Sequence, residues 1–349
     1  MDALNELARQ AASGHALTSD QAREAADRLA SAQASDDAKA RFLEALAAKG
    51  ETGEEVAALA ARFRELARDP GLDAWRAEAI DVCGTGGDRT GTFNISTASM
   101  FVLAAGGVKV FKHGNRSVTS RCGSSNLLEA LGVGLTADAA VLARSMEELG
   151  FCFMFAPAFH PAFKAVAPVR QRLAAEGKRT VFNLLGPLIN PARPARQLLG
   201  AYSGRIVPLL AEALRGLGLE AVLVVHCDLG PKGGMDELSV AGDNAMAGFG
   251  PFAFDPAKSR APDFGLPEGP VEALRGGDVE RNLALLDDLL EGRAPQALED
   301  TVCLNAGAAF CLAGKTRSIE NGIELARERL LGGATRQRIE QTKDFYRSL

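Results

Sequence analysis

The residues best suited to chemistry fall within one short stretch of the chain. Gly84-Thr85-Gly86-Gly87-Asp88 is followed by Thr92-Phe93-Asn94-Ile95-Ser96-Thr97. Lys112-His113-Gly114-Asn115-Arg116-Ser117-Val118-Thr119-Ser120 comes next. A glycine-rich turn lets backbone N–H groups come close to an anion. A helix that opens on Asn94, Ser96 and Thr97 offers unpaired N–H groups and the positive end of a dipole. Lys112 brings a point charge, and Asn115 and Arg116 bring directional donors. His113 is read either as a base or as a positioning donor. Together these groups describe a pocket for an anionic, phosphorylated small molecule. No Lys-Ser/Thr follows the glycines, so the turn is not a Walker loop. The helix-opening glycines and the ribose-binding acid of a dinucleotide fingerprint are also missing. Ser124 is read as a helix cap further on, within reach of the same pocket.

Two further segments add chemistry. Gly233-Gly234-Met235-Asp236-Glu237 sets adjacent carboxylates in a glycine-rich loop. Mg²⁺ suits such a pair, because it takes one or two carboxylates alongside water and substrate phosphates. An extended strand would splay the two side chains, so a bend is needed for both to serve. A solvated acidic pair is the alternative. Arg170 has the planar fork that grips a carboxylate, with a structural ion pair as its alternative. Segment 180–191 carries Asn183, Gly186, Pro187, Asn190 and Pro191 and reads as a rigid loop that names no chemistry.

These groups need a scaffold, and hydrophobic spacing supplies one. Residues 1 to about 70 read as helices only. Thr18 with Gln21 and Thr52 with Glu55 form two capping boxes, and Gly50 ends a helix that begins near Asp37. Strands are expected at 79–83, 108–111, 151–155, 198–202 and 221–226. Helices are expected between them at 96–105, 125–131, 137–149 and 207–217. Alternation of this kind implies a mostly parallel sheet covered by helices, with ligands at the carboxyl ends of the strands. The glycine turn would follow the first strand and the Lys112 cluster the second, on one rim. Residues 228–270 read as loop-rich, and the tail returns to helices.

Composition sets the outer limits. The 349 residues are 47% hydrophobic and 24% charged, ordinary values for about two domains. The net charge of −5 argues against a general nucleic-acid or membrane-surface binder. Six cysteines without a Cys-x-x-Cys pair read as reduced, buried thiols, and no zinc site is legible. No basic n-region precedes an apolar stretch at the N-terminus, and no apolar run reaches transmembrane length. A cytoplasmic protein is expected.

In this order, the segments resemble the anthranilate phosphoribosyltransferase family over nearly the whole chain, including Arg281-Asn282 and Leu304-Asn305-Ala306 in the tail. The resemblance implies an α/β fold of the nucleoside phosphorylase/phosphoribosyltransferase kind. An N-terminal helical domain (1–72, joined in space by helices near 160–190) would accompany a larger α/β domain (73–349) with a mostly parallel central sheet. It implies transfer of the phosphoribosyl group of phosphoribosyl pyrophosphate (PRPP) to anthranilate, with Mg²⁺ as cofactor and a homodimer through the helical part. Carried over by motif, the PRPP contacts would be Gly84, Gly87, Asp88, Thr92, Asn94, Ile95, Ser96 and Thr97. They continue with Lys112, His113, Gly114, Asn115, Arg116, Ser117, Val118, Thr119, Ser120 and Ser124. Gly84, Asn115 and Arg170 would contact anthranilate, and Ser96, Asp236 and Glu237 would contact the metal. No covalent nucleophile is assigned. The loop before Asp236 is longer than the family's. The rivals are a pyrimidine nucleoside phosphorylase and a nucleic-acid-binding relative that has lost the substrate motifs.

Overall fold

The computed structural model describes residues 3–116, 121–136, 138–252 and 257–349. Four helices come first: α1 (Ala3–Ala12), α2 (Ser19–Ala30), α3 (Asp36–Lys49) and α4 (Gly53–Glu65). Their ends follow the sequence signals. The Thr18 and Thr52 side chains accept from the Gln21 and Glu55 amides, both boxes closing reciprocally, and Gly50 ends α3 at φ 86°. Then follow β1 (Ile80–Gly84), α5 (Ile95–Ala105), β2 (Val110–Gly114), α6 (Ser124–Ala130), α7 (Ala139–Leu149) and β3 (Phe151–Phe155). Next come α8 (Ala156–Phe159), α9 (Ala167–Ala175), α10 (Phe182–Leu185), β4 (Arg196–Gly200), α11 (Val207–Gly216) and β5 (Ala221–Asp228). β6 (Gly234–Met235), β7 (Asp243–Phe249) and β8 (Ala257–Ser259) precede the closing helices. Those are α12 (Val279–Leu290), α13 (Gln296–Leu312), α14 (Ile319–Leu331) and α15 (Ala334–Arg347).

The sheet runs β3-β2-β1-β4-β5-β7-β8. The first five strands are parallel, while β7 and β8 are antiparallel. The chain moves outward from β1 to β3 and then returns to lay β4 on the other side of β1. That reversal makes the carboxyl end of β1 a topological switch point, where open α/β sheets bind ligands.

The two faces of the sheet feed different cores. Val82, Val110, Phe153, Leu198 and Leu223 pack with α5 and α13. Leu199, Val222 and Val224 face the other way, onto α11 and through it onto the helical bundle. Val166, Val169, Leu173, Val181, Phe182 and Leu185 share that second core with α1–α4. All six cysteines are buried, and none forms a disulfide among the described residues. Among the described residues no helix is long and apolar enough to cross a membrane.

Three expectations need correction. Strand β2 does not stop at Phe111; it runs on to Gly114, so Lys112 and His113 lie inside the sheet rather than after it. Their side chains are almost fully buried, which the polar look of the segment concealed. Residues 228–270 are not merely loop. The stretch holds β6, β7 and β8 among the described residues, and β7 pairs with β5 along seven positions from Val222↔Phe249 to Asp228↔Asp243. Its Gly-rich, weakly alternating sequence carries little strand signal. Gly123, not Ser124, is the N-cap of α6, with its N–H donating to Asn126 Oδ1 at 3.0 Å.

Candidate active site

Sheet ends and helix starts build the site. Beyond β1, Thr85 is tied twice: its N–H donates to Gly200 O, and its Oγ1 accepts from Tyr202 N–H, each at 2.9 Å. The chain then turns through Gly86 (φ 69°) and Gly87 (φ 79°), a left-handed path that favours glycine. Gly86 N–H donates to Asp236 Oδ2 at 2.7 Å. The Gly87 and Asp88 N–H groups have no hydrogen-bond partner among the described residues. They are the open donors of the turn.

Asp236 lies directly over the ends of β1 and β4. A Cβ on Gly84 would strike its carboxylate, and one on Gly200 would strike its backbone carbonyl. Gly84 and Gly200 are neighbours in register, so a two-glycine notch receives this residue. The lengthened loop before it is a hairpin. β5 extends to Asp228, a short turn follows at Gly230–Lys232, and β6 returns with Cys227↔Met235 and Asp228↔Gly234 in register. Asp236 and Glu237 then bend away from β6, the geometry both side chains need to face one site. Asp228 stays outside, exposed and accepting from Gly230 N–H. Behind the bend, Asn305 of α13 holds both backbone groups of Leu238, accepting from its N–H (3.1 Å) and donating to its carbonyl (2.7 Å).

The carboxylates are crowded. Burial, then the charge of Asp88, raises Asp236 well above the usual carboxylate range. Burial, then Asp236, raises Glu237 likewise, against the opposing pull of Lys112 and of Ser96 N–H, which donates to it. Among the described residues no group of three or more His, Cys, Asp or Glu forms a ready metal cage. Two carboxylates that repel each other at a partly open rim suit Mg²⁺, which takes its remaining ligands from phosphates and water.

Lys112 lies beneath this pair. Its Nζ donates to Val82 O at 2.6 Å and Ser96 Oγ at 3.2 Å, so it fixes the start of α5 and offsets the nearby acids. At that helix start Ile95 and Thr97 are buried, whereas Ser96 is only partly buried. Asn94 braces: its amide donates to Cys122 O (3.1 Å) and accepts from Asn282 (2.8 Å). Thr92 bridges to Arg275. Arg116 pairs with Glu129 at 2.9 Å, and exposed Asn115 accepts from the Arg116 N–H. Gly114 is needed where it stands, since a Cβ there would lie 2.6 Å from Ser124 Oγ. Ser117, Val118, Thr119 and Ser120 lie outside the described residues.

From the end of β2 a chain of rings leads to Arg170. His113 stacks edge-on to His160 (5.1 Å), His160 contacts Phe163 (5.6 Å), and Phe163 contacts Phe182 (5.3 Å). The Arg170 guanidinium lies over both phenylalanines, 5.4 and 4.9 Å from their centroids. It has no carboxylate partner among the described residues. The structural ion pair weighed from pattern alone is therefore not what holds it. Burial lowers the pKa of both imidazoles, His160 to about 4, and His113 also feels His160. Their Nε2 atoms are buried without a partner among the described residues. Neutral imidazoles favour a positioning role over that of a charged donor.

Sequence reasoning missed Gly200, Tyr202 and Arg179, and it gave Thr85, inside the glycine turn, no role of its own. Arg179 Nη2 donates to Gly87 O at 3.2 Å, and its guanidinium lies 3.8 Å from the Tyr202 ring centroid. Gly200 ends an apolar strand, and a glycine there signals close backbone approach. Tyr202 and Arg179 carry no local signature.

Comparison with known proteins places this geometry in context. Residues 76–336 match the glycosyl transferase family a/b domain, and residues 5–67 match its helical bundle domain. An anthranilate phosphoribosyltransferase from Rubrobacter xylanophilus is 43% identical over 341 residues, 97% of this chain and 96% of that protein. The crystal structure of anthranilate phosphoribosyltransferase from Thermus thermophilus superposes with a TM-score of 0.88 at 42% identity, covering 99% of this chain and 100% of that one. The Saccharomyces cerevisiae enzyme in complex with PRPP and Mg gives 0.84 at 25% identity, covering 99% and 98%.

Proposed function

The chain belongs to the anthranilate phosphoribosyltransferase family, and from that premise we infer how it works. It transfers the phosphoribosyl group of PRPP to the amine of anthranilate, giving N-(5-phosphoribosyl)-anthranilate and pyrophosphate in the second step of tryptophan biosynthesis. The observation that carries the division of labour is the rim itself. Open amides at Gly87 and Asp88 share it with Asp236, Glu237 and the partly exposed Ser96 at the start of α5.

We propose that PRPP lies along this rim. The Gly87 and Asp88 amides and the α5 N-terminus meet its phosphates. Lys112 acts from below by setting Ser96 and the local potential. Asn94 holds the loop around Cys122 in place, and Thr92, Gly114, Asn115 and Arg116 complete the wall with Ser124; Ser117, Val118, Thr119 and Ser120 belong to the proposal as further PRPP contacts by motif alone. Asp236 and Glu237, with Ser96, would hold Mg²⁺; when bound, the ion supplies positive charge for the diphosphate. Arg170 takes the carboxylate of anthranilate, and Asn115 and Gly84 border it.

The amine lone pair forms the bond to the anomeric carbon as the carbon–oxygen bond to diphosphate breaks, with inversion. The electron pair leaves on pyrophosphate, and the amine sheds one proton. An aromatic amine already carries a free lone pair, so orientation and stabilisation of the leaving group account for the acceleration. No covalent nucleophile is needed. We also propose that residues 1–72, joined by the helices near 160–190, form one domain and 73–349 the other, that the chain pairs as a homodimer through the helical part, and that it works in the cytoplasm.

The test is loss of anthranilate fluorescence with PRPP and Mg²⁺ present. Pure, folded protein that leaves the fluorescence unchanged would defeat the reading. Phosphorolysis of thymidine or uridine in its place would assign the chain to the nucleoside phosphorylase class.

A further inference from the structure

The glycine turn reaches its anion-binding shape only if each of its peptides faces the right way. Three of them are held by identified partners. Thr85 is fixed through Gly200 O and Tyr202 N–H, Gly86 through Asp236, and Gly87 through Arg179. The last is the unexpected one, because Arg179 comes from the segment that leads into α10, outside every motif that suggested PRPP binding. The peptide between Gly87 and Asp88 is trans, as are all others described. In a trans peptide the carbonyl and the N–H point in opposite directions. A donor that holds Gly87 O on one side therefore aims the Asp88 N–H to the other, and that N–H is one of the two open donors of the turn. Gly87 at φ 79° resists rotation of this peptide only weakly, so an external brace has an effect to exert.

We propose that Arg179 is a positioning residue for PRPP, acting through the Gly87 carbonyl to aim the Asp88 amide at the substrate phosphates. This rests on the reading of the glycine turn as the PRPP cradle. The guanidinium is well placed for the task. It lies over the Tyr202 ring, and the Tyr202 backbone in turn holds Thr85 at the start of the same turn. Platform, arginine and turn thus form a closed loop of contacts. Arg179 is exposed and makes no ion pair among the described residues, so its removal opens no cavity and strands no buried charge.

Three variants test this by steady-state kinetics and by calorimetry with PRPP and Mg²⁺. Arg179→Ala is expected to raise the KM for PRPP about tenfold, the worth of one charge-assisted hydrogen bond. It should leave the KM for anthranilate within about twofold and lower the melting temperature only slightly, through loss of the one contact with the Tyr202 ring. Arg179→Gln keeps a neutral donor and is expected to recover part of the loss; Arg179→Lys keeps donor and charge and should recover as much or more. A PRPP requirement unchanged in Arg179→Ala overturns the proposal. So does a pattern in which only Lys rescues and Gln matches Ala, since charge alone would then explain the effect. If the wild-type protein takes up no PRPP at all, the cradle reading fails instead.

Discussion

Arg170 offers the sharpest single perturbation. Its guanidinium is partly buried over Phe163 and Phe182 and finds no carboxylate among the described residues. Burial lowers its pKa, yet an arginine stays charged under such conditions. A desolvated, unpaired cation is poised for an external carboxylate, and a hydrogen bond to a charged group contributes about 1.5–3 kcal/mol. Arg170→Ala should therefore raise the KM for anthranilate by roughly 10- to 150-fold at saturating PRPP. The KM for PRPP should move by less than about threefold, because that substrate meets other residues. Two cation–π contacts are lost with the side chain, each worth about 0.5–1 kcal/mol, so a modest fall in melting temperature accompanies the kinetic change. Arg170→Lys keeps the charge without the planar fork and should fall between the two. The assay is anthranilate fluorescence with each substrate varied in turn. Equal rises in both KM values, or a fall in kcat with both KM values intact, would refute the assignment.

Three further outcomes are expected. Gly200→Ala drives a Cβ into the Asp236 carbonyl, so the acidic bend must shift; a displacement near 1 Å costs on the order of 100-fold in kcat/KM, and wild-type rates would contradict the notch. Because Asp236 and Glu237 are raised, lowering the pH from about 8 to about 6 protonates them and should weaken uptake of PRPP with Mg²⁺, with protons released on binding; calorimetry in buffers of different ionisation enthalpy that shows no proton release would count against it. His160 is depressed to about 4 in the fold, so the unfolded chain takes up its proton first, and stability present above about 6.5 is lost as the pH falls through that value towards 4, by at most roughly 3 kcal/mol. Urea melts should therefore show the penalty of His160→Asn shrinking between about pH 7.5 and pH 5; a constant gap would remove His160 as the cause.

Local signals carried much of this account. Capping pairs at Thr18 and Thr52 announced helices because a cap is a contact between residues three apart. The glycine turn, the Ser96 helix start and the Asp236 bend were visible because each needs residue types that few other roles require. What stayed hidden depends on tertiary placement. Lys112 and His113 look like a solvated basic loop, but β1 and β3 flank them and Val82 O takes the ammonium. β7 is legible only through its partner β5, since a strand rich in Ala, Asn and Gly carries no period of its own. Gly200, Tyr202 and Arg179 act across chain separations of roughly 90 to 120 residues, beyond any local pattern.

The measurement closest to the central claim is a crystal structure of the protein soaked with PRPP and Mn²⁺, read from the anomalous difference map. Mn²⁺ stands in for Mg²⁺ and takes the same oxygen ligands. The account predicts a manganese peak bound by the Asp236 or Glu237 carboxylate, with substrate phosphates against the Gly87 and Asp88 amides and the start of α5. Phosphates seated away from that rim, with both carboxylates left untouched, would contradict it.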